Sequence, residues 1–165
     1  MSNVEPIAAK VSFELLTRYF LVKGVGDATY PITAFDRALL AAGVGDVNLV
    51  RLSSILPPGC QKIAPVPLLP GRLVPIAYAT MNSTEIGQQI ASAVAVGVPV
   101  DPELPGLIME HSGYGSGAEI EAIVRGMVEE NMAYRGRAMA EILSISSEGV
   151  VQTVSSTFAG VVLLP

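Results

Sequence analysis

The residues best placed to do chemistry are two adjacent serines, Ser53 and Ser54, at the end of an apolar run and ahead of Ile55-Leu56-Pro57-Pro58. A serine hydroxyl is a weak nucleophile until a base, or its placement, activates it. Two hydroxyls at a strand end can equally bond to nearby backbone. Ser146-Ser147 and Ser155-Ser156 repeat the pair elsewhere, so the dipeptide alone decides nothing. The rest of the chemical inventory is thin. There is one histidine, His111, and one cysteine, Cys60. A zinc site would have to be mostly carboxylate, and no metal is expected. No internal disulfide can form. A Ser-His-Asp triad could use only His111, and so could Cys60 as a nucleophile. No G-x-x-x-x-G-K-[ST] phosphate loop is present, and Gly24-Val25-Gly26, Gly43-Val44-Gly45 and Gly113-Tyr114-Gly115 lack dinucleotide-fingerprint spacing. The lysines are Lys10, Lys23 and Lys62; none lies in a segment that reads as a buried site, which disfavours a lysine Schiff base and pyridoxal phosphate. Amino-acid chemistry on this chain would need another electrophile.

The elements that must position such a group fit one domain over residues 1–165. Hydrophobic residues make up 50% of the chain and charged residues 15%, so much apolar surface must enter a core or a subunit interface, and a homo-oligomer is expected. The net charge is −5 with scattered basic residues, which argues against nucleic-acid binding. No stretch of about 20 unbroken apolar residues crosses a membrane, and no secretory signal is visible, so a cytoplasmic location is expected.

Met1–Lys10 reads as a mobile lead-in. Val11–Lys23 reads as a strand and Gly24–Asp27 as a turn. Thr33–Ala42 reads as a helix capped by Thr33, with Gly43 past its end. Asp46–Ile55 reads as one strand, interrupted by Arg51 and stopped by Pro57-Pro58-Gly59. Further strands are expected at Leu73–Thr80, Ile86–Val98 and Leu107–Glu110. The helix over Ser116–Tyr134 carries the clearest signal, with a Ser116/Glu119 capping box and apolar residues at helical spacing. Strands at Glu141–Ser146 and Val150–Leu163 close the chain, with Ser147-Glu148-Gly149 turning between them. The class is α+β: a layered sandwich of mainly antiparallel sheet with helices packed outside.

The order Phe35-Asp36, Ala38-Leu39-Leu40, Gly43-Val44-Gly45, Asn48-Leu49, Ser53-Ser54-Ile55-Leu56-Pro57-Pro58 resembles the pyruvoyl-dependent arginine decarboxylases. Leu73-Val74-Pro75, Ala77-Tyr78 and Gly106-Leu107-Ile108-Met109-Glu110 extend the resemblance from about Thr33 to the C-terminus. The resemblance implies self-cleavage between Ser53 and Ser54, giving a β chain (1–53) and an α chain (54–165) capped by a covalent pyruvoyl group made from Ser54. That ketone would take the α-amine of L-arginine as an imine and release CO2 and agmatine, the start of a polyamine route. By the same resemblance Asn48 stabilises the oxyanion of the cleavage, Glu110 protonates the substrate α-carbon, Asp36 pairs with the guanidinium, Ile32 walls the methylene stem, and Ser53 is both a catalytic and a substrate-binding residue. The family also implies a homotrimer with active sites between subunits. Arg37 beside Asp36 and His111 beside Glu110 bear on substrate choice. A pyruvoyl decarboxylase for another amino acid, or a non-processing ligand-binding or structural relative, are the rival readings.

Overall fold

The computed structural model describes residues 15–165. In chain order its elements are β1 (Arg18–Ala28), α1 (Pro31–Ala41), β2 (Asn48–Arg51), β3 (Ile55–Leu56), β4 (Gln61–Lys62), β5 (Leu73–Ser83), β6 (Gln89–Pro99), β7 (Gly106–Tyr114), α2 (Gly117–Tyr134), β8 (Met139–Val150) and β9 (Val154–Leu164). The lead-in expected over Met1–Lys10 and residues 11–14 of the first expected strand lie outside the described residues.

Strand β9 is buried at every position but its last, and β6 is nearly so. A strand with no polar face needs a covering layer on both sides. Each of the two is an interior strand of its own sheet. One sheet runs β2-β5-β9-β1-β4 and the other β3-β7-β6-β8. The second is antiparallel throughout; the first is antiparallel around β9 and parallel where β2 joins β5 and β4 joins β1. Tyr19, Leu56, Val94, Val96, Ile108 and Val161 fill the space between the sheets. Helix α1 covers the outer face of the five-stranded sheet over Phe20, Val22, Phe158 and Val162. Helix α2 covers the outer face of the four-stranded sheet, setting Ile120, Val124 and Val128 on Ala91, Ala93 and Ala95. The α+β sandwich with helices outside is therefore observed. No helix among the described residues is long and apolar enough to cross a membrane.

Local differences from the sequence reading have physical causes. Gly24–Asp27 is not a turn: β1 continues to Ala28. Its glycines are seats for α1. A Cβ on Gly24 would lie 2.1 Å from the Ala38 carbonyl oxygen, and one on Gly26 would lie 2.3 Å from that of Ala34. Helix α1 answers with buried Ala34 and Ala38, so helix and strand backbones pack in direct contact. The helix begins earlier than Thr33. Pro31 opens it after Tyr30, and no side chain caps it, which is the preference of proline for a first helical position. Ser147-Glu148-Gly149 belongs to β8, held by the continuous β6–β8 ladder, and the chain turns at 151–153 instead. The strand expected at Asp46–Ile55 is two. β2 joins the five-stranded sheet and β3 the four-stranded one, so residues 52–54 cross from one layer to the other.

Candidate active site

That crossing is where the two serines sit. On its upstream side the Leu52 N–H donates to the Ile76 carbonyl at 2.9 Å, anchoring the chain to β5. On its downstream side the Ile108 N–H donates to the Ser54 carbonyl at 2.9 Å, anchoring it to β7. The Ser53–Ser54 peptide lies between these anchors. Ser54 has φ of 75° and is the one non-glycine residue with positive φ among the described residues. A left-handed backbone costs a non-glycine residue about 1–2 kcal/mol. The anchors in two different layers hold it there.

Glu110 reaches Ser54 from β7. The Ser54 Oγ donates toward Glu110 Oε1 at 2.9 Å and Oε2 at 2.8 Å. Glu110 lies two residues beyond Ile108, on the face of β7 that looks toward the five-stranded sheet. Burial pushes its carboxyl above the ordinary value, and the Ser54 hydroxyl and the Arg51 guanidinium pull it back in part. Arg51 ends β2. One of its terminal nitrogens lies 3.9 Å from Glu110 Oε1 and donates to the Tyr78 carbonyl at 3.1 Å, while the guanidinium stacks 4.7 Å from the centre of the Tyr78 ring. A half-buried serine at a left-handed position, a carboxyl with raised proton affinity and a nearby cation can activate a hydroxyl and hold a proton.

Of the other residues singled out in the sequence, one adjoins the pair and the rest fall elsewhere. Ser53 is exposed beside Ser54. Asn48 opens β2, and its amide donates to the Gly71 carbonyl at 2.9 Å; no hydrogen bond joins it to Ser53 or Ser54 among the described residues. Asp36 and Ile32 are exposed on α1, which packs on β1, β9 and β5. They stand beyond the five-stranded sheet from Glu110, and the protomer does not bring them to Ser54. Arg37 donates to the Asp27 carbonyl rather than to Asp36. His111 alternates onto the α2 side of β7, away from Glu110. Burial pushes the Cys60 thiol up to about 11, which leaves it protonated and inert. Arg51, Tyr78 and the Ile108 N–H were not legible as parts of a site. Arg51 had one signal, a charge inside an apolar strand run just ahead of the serines.

The family model described as pyruvoyl-dependent arginine decarboxylase matches residues 18–163. The chain belongs to the pyruvoyl-dependent arginine decarboxylase family. It is 44% identical over 152 residues to the pyruvoyl-dependent arginine decarboxylase of Methanococcus maripaludis strain C7, covering 92% of each chain. It is 43% identical over 163 residues to that of Methanocaldococcus jannaschii, covering 98% of this chain and 97% of the relative. It is 38% identical over 150 residues to that of Thermococcus kodakarensis, covering 89% and 94%. The family's covalent pyruvoyl group fits what residue 54 offers. The carbonyl of that residue is held by the Ile108 N–H whatever its side chain becomes. Its β-carbon substituent faces a carboxyl, and the position is partly exposed.

Proposed function

We propose that the chain cuts itself between Ser53 and Ser54 and then converts L-arginine to agmatine and CO2, with Ser54 and Glu110 at the centre of both processes. The observation that carries this reading is the Ser54 hydroxyl lying 2.8 Å and 2.9 Å from the two oxygens of Glu110, at a residue with φ of 75°. Glu110 takes the Ser54 Oγ proton as the oxygen attacks the Ser53 carbonyl carbon. The C–N bond breaks, the amine of residue 54 takes a proton, and an ester replaces the peptide. Loss of the residue-54 α-proton expels the Ser53 carboxylate and leaves dehydroalanine. Its imine tautomer takes up one water and releases ammonia, leaving the pyruvoyl group. An ester is less stable than a peptide, so the initial shift requires a backbone held out of relaxed geometry. Asn48 is the proposed oxyanion donor; in this structure its amide is engaged with Gly71.

When formed, the pyruvoyl group supplies a carbonyl that accepts the substrate amine and receives the electron pair left by departing CO2. Glu110 supplies the proton that the substrate α-carbon needs, and burial strengthens its hold on that proton. Asp36 pairs with the guanidinium and Ile32 lines the stem. Both stand on α1, across the five-stranded sheet from Glu110, so one substrate meets both sets only when a neighbouring protomer supplies α1. This supports sites between subunits, in a homotrimer as the family resemblance implies. Cleaved protomers stay together because β1, α1 and β2 belong to residues 1–53, and β1 and β2 remain laddered to β9, β4 and β5. The proposed setting is the cytoplasm.

Denaturing mass spectrometry of the purified protein tests the cleavage. Two fragments dividing at 53/54 are expected, the larger reacting with borohydride or hydrazine. One intact mass would remove the electrophile and leave the reading without a mechanism. Release of CO2 from a panel of amino acids tests the substrate, and Asp36→Ala is expected to raise KM for arginine at least tenfold. Unchanged arginine turnover in that variant would remove Asp36 from the site.

A further inference from the structure

Arg51 has no assigned role in the proposed reaction steps, yet it is the one cation beside Glu110 among the described residues. The other elements packed on β7 offer no rival. β3, β6 and β9 contain no titratable side chain, and β5 contributes only Tyr78. The charged residues of α2 and His111 lie on the opposite face of the four-stranded sheet. Arg51 is also held in place. Its side chain is stacked over the Tyr78 ring at 4.7 Å and bonded to the Tyr78 carbonyl at 3.1 Å. From there it stands 3.9 Å from Glu110 Oε1, outside hydrogen-bonding distance. Glu110 therefore keeps both oxygens for Ser54, while the guanidinium acts on it through space.

The geometry points to Arg51, clamped by Tyr78, as the positioning residue that sets how readily Glu110 gives and takes its proton. This deepens the proposed function and rests on Glu110 being the proton-carrying group of the site. The same carboxyl must lose a proton to accept one from Ser54 and must later deliver one to carbon. Burial alone raises its proton affinity, which works against the first task. A cation in full hydrogen-bonded contact would drive it toward permanent ionisation, which would block the second. A fixed guanidinium at 3.9 Å, with 58% of its side chain exposed, counters burial without cancelling it.

The test titrates Glu110 itself. Side-chain carboxyl carbon NMR is run on full-length Ser54→Ala protein, which cannot cut, with Glu110→Gln identifying the resonance. Adding Arg51→Met is expected to move the Glu110 midpoint upward by about one unit, the low end of what a neighbouring opposite charge produces. Adding Arg51→Lys, which keeps the charge but loses the planar stack, is expected to move it upward by less. With Ser54 intact, freshly synthesised Arg51→Met precursor is expected to need a correspondingly higher pH for half-maximal self-cleavage. A merely structural role would slow cleavage at every pH and leave the midpoint in place. A Glu110 midpoint equal to the parent's in Arg51→Met overturns the inference, and so does an unmoved midpoint in Arg51→Lys should the methionine variant not fold. If the parent chain never cuts, the self-cleavage reading fails while the carboxyl titration still judges Arg51.

Discussion

Three serine pairs in this protein place a hydroxyl on a carboxylate, in two kinds of surroundings. Ser54 donates to Glu110. Ser155 donates to Asp27, and Ser146 donates to Glu121 at 2.7 Å. The latter two lie inside ladders, where β9 pairs on both sides and β8 pairs with β6. In both, the residue sits in extended, ladder-paired backbone. Ser54 belongs to neither ladder and has φ of 75°. The carboxyls also differ. Burial raises Glu121, but the Ser144 and Ser146 hydroxyls with Arg125 and Lys23 outweigh it and leave Glu121 below its ordinary value. Glu110 ends above its own. What sets Ser54 apart from the other two is a backbone strung between two layers together with a carboxyl whose proton affinity burial raises.

The hardest blow to this contrast is Ser54→Ala. It is expected to abolish cleavage outright and leave a single intact mass, whereas Ser155→Ala and Ser146→Ala are expected to give the two fragments as before. A cut Ser54→Ala protein would show that another residue supplies the nucleophile. Glu110→Gln comes next. A positioned acid–base group contributes about 10²–10⁴-fold, so fragment appearance is expected to slow by that factor in time-resolved mass spectrometry. Glu121→Gln is expected to leave the cleavage rate where it was.

A smaller effect separates self-cleavage from substrate capture. Gly24→Ala drives a Cβ into the Ala38 carbonyl, and overpacking of this kind costs about 1–3 kcal/mol. Helix α1 must shift, and Asp36 shifts with it. KM for arginine is expected to rise several-fold while the cleavage rate stays near that of the parent. Slower cleavage with unchanged KM would place α1 with the serines rather than with the substrate.

The sequence showed the α+β layering, because the apolar runs of β6 and β9 and the period of α2 are strong local signals. It misread Gly24–Asp27 and Ser147–Gly149 as turns, because turn-forming residues also occur where a helix or side chain crowds a strand. Gly24 and Gly26 admit α1, and Gly149 has Val25 Cγ1 at 3.1 Å from where its Cβ would stand. The pair Ser54 and Glu110 could be named from the resemblance alone. Their 2.8 Å contact is made across 56 positions of chain and depends on β3 and β7 pairing, which no local pattern announces. Arg51 was hidden for the same reason, since its partners Tyr78 and Glu110 come from separate sheets.

The smallest expected effect tests the difference between the two carboxyls directly. Glu110 binds its proton more tightly in the folded than in the unfolded chain, so it favours folding in acid and loses that contribution as pH rises through its raised value. Glutamine carries no charge at any pH. In the uncut Ser54→Ala background, Glu110→Gln is therefore expected to raise Tm near neutral pH slightly. The gain should vanish as pH falls to the ordinary carboxylate range. Glu121 has the opposite sign. Its lowered value supplies stability above the ordinary range that is lost as pH falls, so Glu121→Gln should lower Tm near neutral pH, with the loss fading in acid. Thermal unfolding of both variants across pH reads the two signs side by side. Parallel curves for Glu110→Gln and Glu121→Gln would mean that the fold treats the two serine-bound carboxyls alike, and the distinction between a strained, proton-holding site and an ordinary hydrogen bond would then rest on the backbone of Ser54 alone.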